Sequence, residues 1–188
     1  MKKLLAVMIT GSALVASSAA SANDWTFLAS VEPGYKSEHT VSLLFGRMSP
    51  GTTGMKDGNI AGLELSLNCP LLQPPTNRIR QQISYTQYDE SGVKIKNFEI
   101  NPHYVVEVSP GLELGGGPGL AYVTADTAAK DPDFFGFNLG VSAHYRGMGP
   151  VFIGAEYRYQ FTTEEDFGNG LKDNLNNGRF DIKVGYDF

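Results

Sequence analysis

Apolar and polar residues alternate over stretches of about ten residues, and clusters of Gly, Pro, Asn and Asp separate those stretches. Successive side chains of a β-strand point to opposite faces, so a period of two belongs to strands. The last stretch is the cleanest. There Phe180, Ile182, Val184, Tyr186 and Phe188 share one face, while Arg179, Asp181, Lys183, Gly185 and Asp187 share the other. Residues 151–161 repeat the split, with Ile153, Ala155, Tyr157, Tyr159 and Phe161 against Gly154, Glu156, Arg158 and Gln160. Residues 135–145 do so again. Strands are expected near residues 38–47, 59–68, 79–88, 96–108, 111–124, 134–146, 151–161 and 178–188.

A water-soluble sandwich alternates as well, so other features decide between a hidden and a lipid-facing apolar side. The strand count is eight, an even number, as closure with both ends on one side requires. Longer connections at 49–58, 89–94, 125–133 and 162–177 alternate with tight turns at Ser109-Pro110 and Gly147-Met148-Gly149-Pro150. Long loops outside and short turns on the periplasmic side characterise outer-membrane barrels. The Pro-rich connection 69–77 is the exception. Aromatic residues complete the pattern: Tyr85, Phe98, Tyr122, Phe135, Tyr159, Phe161 and Phe180 fall near outer strand ends, and Tyr104, Tyr145, Tyr186 and Phe188 near inner ends. Two girdles suit two membrane interfaces. The expected fold is all-β: a closed, eight-stranded, antiparallel, up-and-down transmembrane β-barrel with periplasmic termini.

The ends need separate treatment. Lys2 and Lys3, an apolar run over 4–15 and the small residues Ala20-Ser21-Ala22 form the pattern of a cleavable secretory signal, expected over 1–22. Removing it leaves 166 of 188 residues, one domain over 23–188, and moves the formal charge from −5 to −7. An acidic chain without a basic patch speaks against a nucleic-acid partner. Residues 24–31 alternate too, but a ninth strand would put the termini on opposite sides; residues 23–37 are therefore expected at the periplasmic interface or along the rim. Cys69 is the single cysteine, no Cys/His spacing suggests a metal, and no cofactor is expected.

The segment 180–188 ends on Phe188 with aromatic or apolar residues at every second position before it. This resembles the C-terminal recognition signal of Gram-negative outer-membrane barrels, with Val184, Tyr186 and Phe188 as the matching positions. The resemblance implies the barrel assembly machinery as a partner. With length and strand count added, the chain resembles the small OmpA/OmpX-type barrel superfamily, which implies the outer membrane as location and its lipids and lipopolysaccharide as surroundings.

Parity sends Glu64, Arg80, Glu99, His103, Glu107, Glu113, His144, Glu156, Arg158, Asp181 and Lys183 to the polar, lumen face. Eight strands enclose a lumen that side chains can just fill, and charges buried there must be paired. A plugging network of ion pairs is the expected arrangement. A narrow gated path for ions or small solutes is the alternative, with Gly115, Gly117 and Gly119 leaving room for it. Ser142, His144 and Glu156 superficially resemble the set of the lipid A deacylase barrels, but Ser and His stand in reversed order and parity turns all of them into the lumen, so lipid-modifying chemistry ranks lowest. The loops carry Asp126, Asp131, Asp133, Glu164, Glu165, Asp166 and Asp173, in no Ca²⁺-loop spacing. The sequence supports a non-enzymatic barrel with a role in envelope integrity or surface interaction, and leaves its oligomeric state open.

Overall fold

The structure, a computed structural model, describes residues 25–127, 130–167 and 172–188. The leader expected at 1–22 lies outside the described residues. Eight strands form the barrel: β1 (Thr40–Pro50), β2 (Gly58–Asn68), β3 (Arg78–Glu90), β4 (Val93–Ser109), β5 (Leu112–Asp126), β6 (Asp133–Met148), β7 (Val151–Thr162) and β8 (Asn177–Asp187). Each pairs antiparallel with its chain neighbour, and β8 pairs with both β7 and β1, which closes the sheet. Closure gives every strand two partners, so no edge is exposed.

The strands run further outward than the alternation indicates. The expected loop 89–94 is a two-residue turn, because Ser91 and Gly92 both adopt left-handed backbone (φ 53° and 81°) and let β3 and β4 pair up to Glu90 and Val93. The reason the pattern hid this extension lies inside the barrel. Near the outer end the inward positions are apolar: Met48, Ile60, Tyr88, Ile95, Val123, Ala125 and Phe134 are buried there, with Leu175 from the last loop. On several strands the outward neighbours in this layer are polar, among them Arg47, Asn59, Gln87, Lys94 and Lys96, so the alternation reverses, with apolar residues facing in and polar residues facing out.

The outward face carries an apolar band, with Leu43, Phe45, Leu63, Leu65, Leu120, Leu139, Val141, Ile153, Ile182 and Val184 exposed. The aromatic residues assigned to the two girdles, Phe188 apart, are exposed on this same face. One ladder is interrupted. Pairing between β4 and β5 lapses between Ile100/Leu120 and Tyr104/Gly116, where Pro102 and Pro118 stand opposite each other and neither has an N–H to donate.

The N-terminal segment is not a ninth barrel strand. Thr26–Phe27 pairs antiparallel with Leu72–Gln73, inside the Pro-rich connection between β2 and β3, and a short 3₁₀ turn follows at Ala29–Val31. Tyr35 donates to the carbonyl of Asn68 (2.6 Å), tying the segment to the inner end of β2.

Candidate functional site: a layered lumen

Regular alternation turns every second residue of each strand inward, and the lumen is filled in layers. Beneath the apolar outer layer lies a charge cluster built from β2, β4, β7 and β8. In the register, Arg179 stands opposite Arg158, and Asp181 stands opposite Glu156. Like charges directly across a sheet repel, so this placement requires partners of opposite sign. Each arginine takes one from its own strand, two residues away: Arg179 Nε donates to Asp181 Oδ2 (2.9 Å), and Arg158 Nε donates to Glu156 Oε1 (2.8 Å). A further one comes from across the lumen. Glu99 on β4 accepts from Arg179 Nη1 and Nη2 at 2.8 and 2.9 Å, and lies 3.7 Å from Arg158 Nε. Lys183 Nζ bridges Glu64 (2.6 Å) and Glu156 (2.5 Å). All seven groups are buried, with Glu99 at 0% and Lys183 at 1% exposure.

The middle of the inner half holds the histidines. His103 Nε2 and Ser142 Oγ lie 3.0 Å apart. The His144 ring packs edge-on against Phe152, with ring centres 5.6 Å apart. Ser142 is therefore engaged by His103 rather than by His144, and these side chains sit inside the barrel, away from the lipid-facing surface.

A second charge cluster occupies the inner end. Glu113 accepts from Arg146 Nε (2.8 Å) and also pairs with Arg78. Arg78 reaches Glu38 as well (3.3 Å), and Arg146 pairs with Asp187 while its guanidinium lies 4.2 Å from the centre of the Phe152 ring. Arg80 donates to Ser66 Oγ, Thr40 Oγ1 and the Glu38 carbonyl at 2.8–2.9 Å. An open cavity of about 350 Å³ lies at this mouth, lined by Glu38, His39, Arg78, Arg80, Arg146, Asp187 and Phe188. The basic groups there already meet carboxylates.

The predicted set thus lies in two clusters with the histidines between them. Glu64, Glu99, Glu156, Arg158, Asp181 and Lys183 are in the outer cluster, and Arg80 and Glu113 in the inner one. Glu107 departs from the set: it is exposed at the inner rim, where its carboxylate accepts from the Gly111 N–H (3.1 Å), because β3 ends opposite Val105 and only β5 still pairs beside it. The room expected at Gly115, Gly117 and Gly119 is taken. A Cβ on Gly115 would meet His103 and Ser142, one on Gly119 would meet Asn101 and Asn138, and one on Gly117 would meet the Pro102 carbonyl. These glycines admit neighbours, not solutes. Arg179, Arg78, Arg146, Glu38 and Asp187 are charged members that parity reasoning left out. The signal for Arg179 was present, since it shares a face with Asp181 and Lys183. Val184 and Tyr186 are exposed on the outward face, and Phe188 is exposed at the inner mouth, stacked on His39 with ring centres 5.8 Å apart. Among the described residues, no group of three or more His, Cys, Asp or Glu side chains is placed to hold a metal ion.

Several solved structures align over nearly their whole length. The attachment invasion locus protein Ail of Yersinia pestis superposes with a TM-score of 0.53 at 17% identity, over 82% of this chain and 100% of Ail. The fold is that of the small outer-membrane β-barrels. Neisserial surface protein A aligns over 80% of this chain and 96% of its own (TM-score 0.53, 16% identity). The N-terminal barrel domain of Pseudomonas aeruginosa OprF covers 81% and 100% (TM-score 0.52, 14% identity). Ail has also been solved with the heparin analogue sucrose octasulfate (TM-score 0.52). No protein-family profile and no curated protein matches the sequence. At these identities the likeness is one of architecture, a small closed β-barrel, and not of activity.

Proposed function

We propose that the chain is an integral protein of the Gram-negative outer membrane, non-enzymatic, whose barrel is a closed scaffold and whose role in envelope integrity or surface interaction is exerted by its outer loops. One observation carries this reading: among the described residues the lumen holds a buried apolar layer above a buried cluster in which every charged group meets one of opposite sign. The apolar outer wall supports outer-membrane lipids and lipopolysaccharide as its surroundings, and Val184, Tyr186 and Phe188 support delivery by the barrel assembly machinery.

The loops and the strand ends beside them give the outer surface its character. Residues 49–58, 89–94, 125–133 and 162–177 contain ten carboxylates against four lysines. A sulfated polyanion of the kind bound by Ail would meet net repulsion here. Cationic partners, or lipopolysaccharide phosphates bridged by divalent ions, suit this surface instead.

Conductance tests the reading. The refolded protein, confirmed as a barrel by heat-modifiable gel migration, is placed in planar bilayers. A silent barrel supports the closed scaffold, and reproducible discrete openings overturn it in favour of a narrow channel. For lipid chemistry, Ser142→Ala leaves the lipid A profile of expressing cells unchanged; an altered profile would restore the enzymatic alternative.

A further inference from the structure

The inner rim carries an apolar surface that neither the barrel core nor the loops explain. Trp25, Phe27, Leu28, Val31 and Leu71 are all exposed, Leu28 at 58% and Val31 at 73%. Neither residues 25–31 nor residues 69–77 contain a charged side chain. Polypeptide facing bulk water rarely presents a contiguous apolar patch without a partner.

Three features indicate lipid as that partner. The two chains pair their polar backbone with each other: Leu28 N donates to the Leu71 carbonyl (2.7 Å) and Ser30 N to the Pro70 carbonyl (3.0 Å), beyond the Thr26–Phe27/Leu72–Gln73 pairing. Paired backbone is what a segment needs to enter a medium poor in hydrogen-bond partners. The patch also continues the lipid-facing wall. Gln73 brackets Ile79 of β3, donating to its carbonyl (2.9 Å) and accepting from its N–H (3.1 Å), and Asn77 Nδ2 donates to the hydroxyl of Tyr104 (2.9 Å), an exposed residue of the inner girdle. Its composition, finally, is that of an interfacial element, with Trp and Phe flanking aliphatic residues.

We propose that residues 25–31 and 69–73 form a foot seated in the headgroup–acyl boundary of the inner leaflet, anchoring the barrel's periplasmic rim to lipid. This rests on the outer-membrane placement proposed above. It also gives the long 69–77 connection a purpose: it is the second chain of the foot.

Trp25 is the single tryptophan of the protein and reports directly on the foot. The full-length mature chain is refolded into phosphatidylcholine vesicles containing lipid brominated either near the headgroup or near the chain ends. Interfacial elements sit about 5–10 Å into the boundary, so the expected result is blue-shifted emission, strong quenching by the shallow bromines and weak quenching by the deep ones. Leu28→Asn with Val31→Ser red-shifts the emission and relieves the quenching while gel migration stays that of a folded barrel; Asn tolerates the left-handed backbone at position 28 (φ 51°). A folded, inserted barrel whose Trp25 is quenched by aqueous acrylamide and by neither bromolipid overturns the foot alone. Failure of the barrel to insert overturns the membrane placement itself. Protection of Trp25 in outer-membrane fragments but not in pure lipid vesicles assigns the patch to a protein and overturns the lipid assignment, as does unchanged quenching in the double variant.

Discussion

Arg179→Met is the most informative single change. The guanidinium is 3% exposed and holds two carboxylates, Glu99 through two hydrogen bonds and Asp181 through one, with a further contact to Thr86 Oγ1 at 3.3 Å. Methionine fills much of the volume but removes the charge, leaving Glu99 and Asp181 buried beside a neutral side chain. Removing one partner of a buried pair costs about 3–5 kcal/mol, mostly as the penalty of the stranded charge. Glu99 keeps Arg158 at 3.7 Å and hydrogen bonds from Ser84 and Asn101 at 3.3–3.4 Å, which places the loss at the lower end of that range. About 3 kcal/mol corresponds to a shift of order 10²-fold in the folding equilibrium. The assay is a urea titration of the vesicle-inserted barrel, with folded fraction read from heat-modifiable migration. The internal control is Lys94→Met, which breaks the exposed Lys94–Asp89 pair (3.3 Å) and costs under about 1 kcal/mol. Adding Glu99→Gln to Arg179→Met recovers part of the loss, because one stranded charge is gone. An Arg179→Met loss no larger than that of Lys94→Met would refute the account of the lumen as a paired, desolvated cluster.

Phe134→Ala removes a fully buried ring from the apolar outer layer and its contact with Phe167 (ring centres 5.6 Å apart); unfolding titration should show a loss of about 3–5 kcal/mol, while bilayer recordings stay silent because the charge cluster beneath is intact. Gly119→Val drives a side chain into Asn101 and Asn138 and lowers stability by about 1–3 kcal/mol in the same titration. Phe188→Ala leaves the refolded barrel's stability nearly unchanged but lowers the amount of heat-modifiable protein recovered from outer-membrane fractions; equal recovery would remove Phe188 from the assembly signal.

Where one side of a strand meets lipid and the other meets charge, the sequence displays its own geometry. Residues 178–188 are the clearest case, since alternation assigns Arg179, Asp181 and Lys183 to one side and Phe180, Ile182 and Val184 to the other, as in the structure. Legibility fails where both sides share one character. Phe134-Phe135 and Tyr122-Val123 are apolar doublets, so the inner and outer members are indistinguishable by period, and the apolar layer went unread although its residues are adjacent to girdle aromatics. Glu107 is the opposite failure: its parity is that of a lumen residue, but β3 ends opposite Val105 and leaves Glu107 flanked by β5 alone. Division of the charges into two clusters was not legible at all, because it depends on which strands face each other across the lumen, a property of closure rather than of any strand.

The charge cluster and the apolar layer contribute unequally to specifying this barrel. A one-residue slip of β8 would turn Arg179, Asp181 and Lys183 outward into hydrocarbon, where each basic group costs about 2–4 kcal/mol near the midplane. The same slip would turn Phe180, Ile182 and Val184 into the lumen against Glu99, Glu64 and Glu156, stranding carboxylates that now have partners. A slip of β6 near Phe134-Phe135 exchanges one phenylalanine for another and carries little local penalty. Register is therefore dictated at the level of the charges, and the apolar layer above inherits it. Lipid offers apolar outer faces little preference for one neighbour over another, so the buried ion pairs supply the discrimination that a hydrophobic core supplies in a soluble protein. On this view the lumen is an inside-out core whose charges are retained for specificity of assembly, and the surfaces free to acquire function are those that register leaves alone: the acidic loops at one end and the uncharged foot at the other.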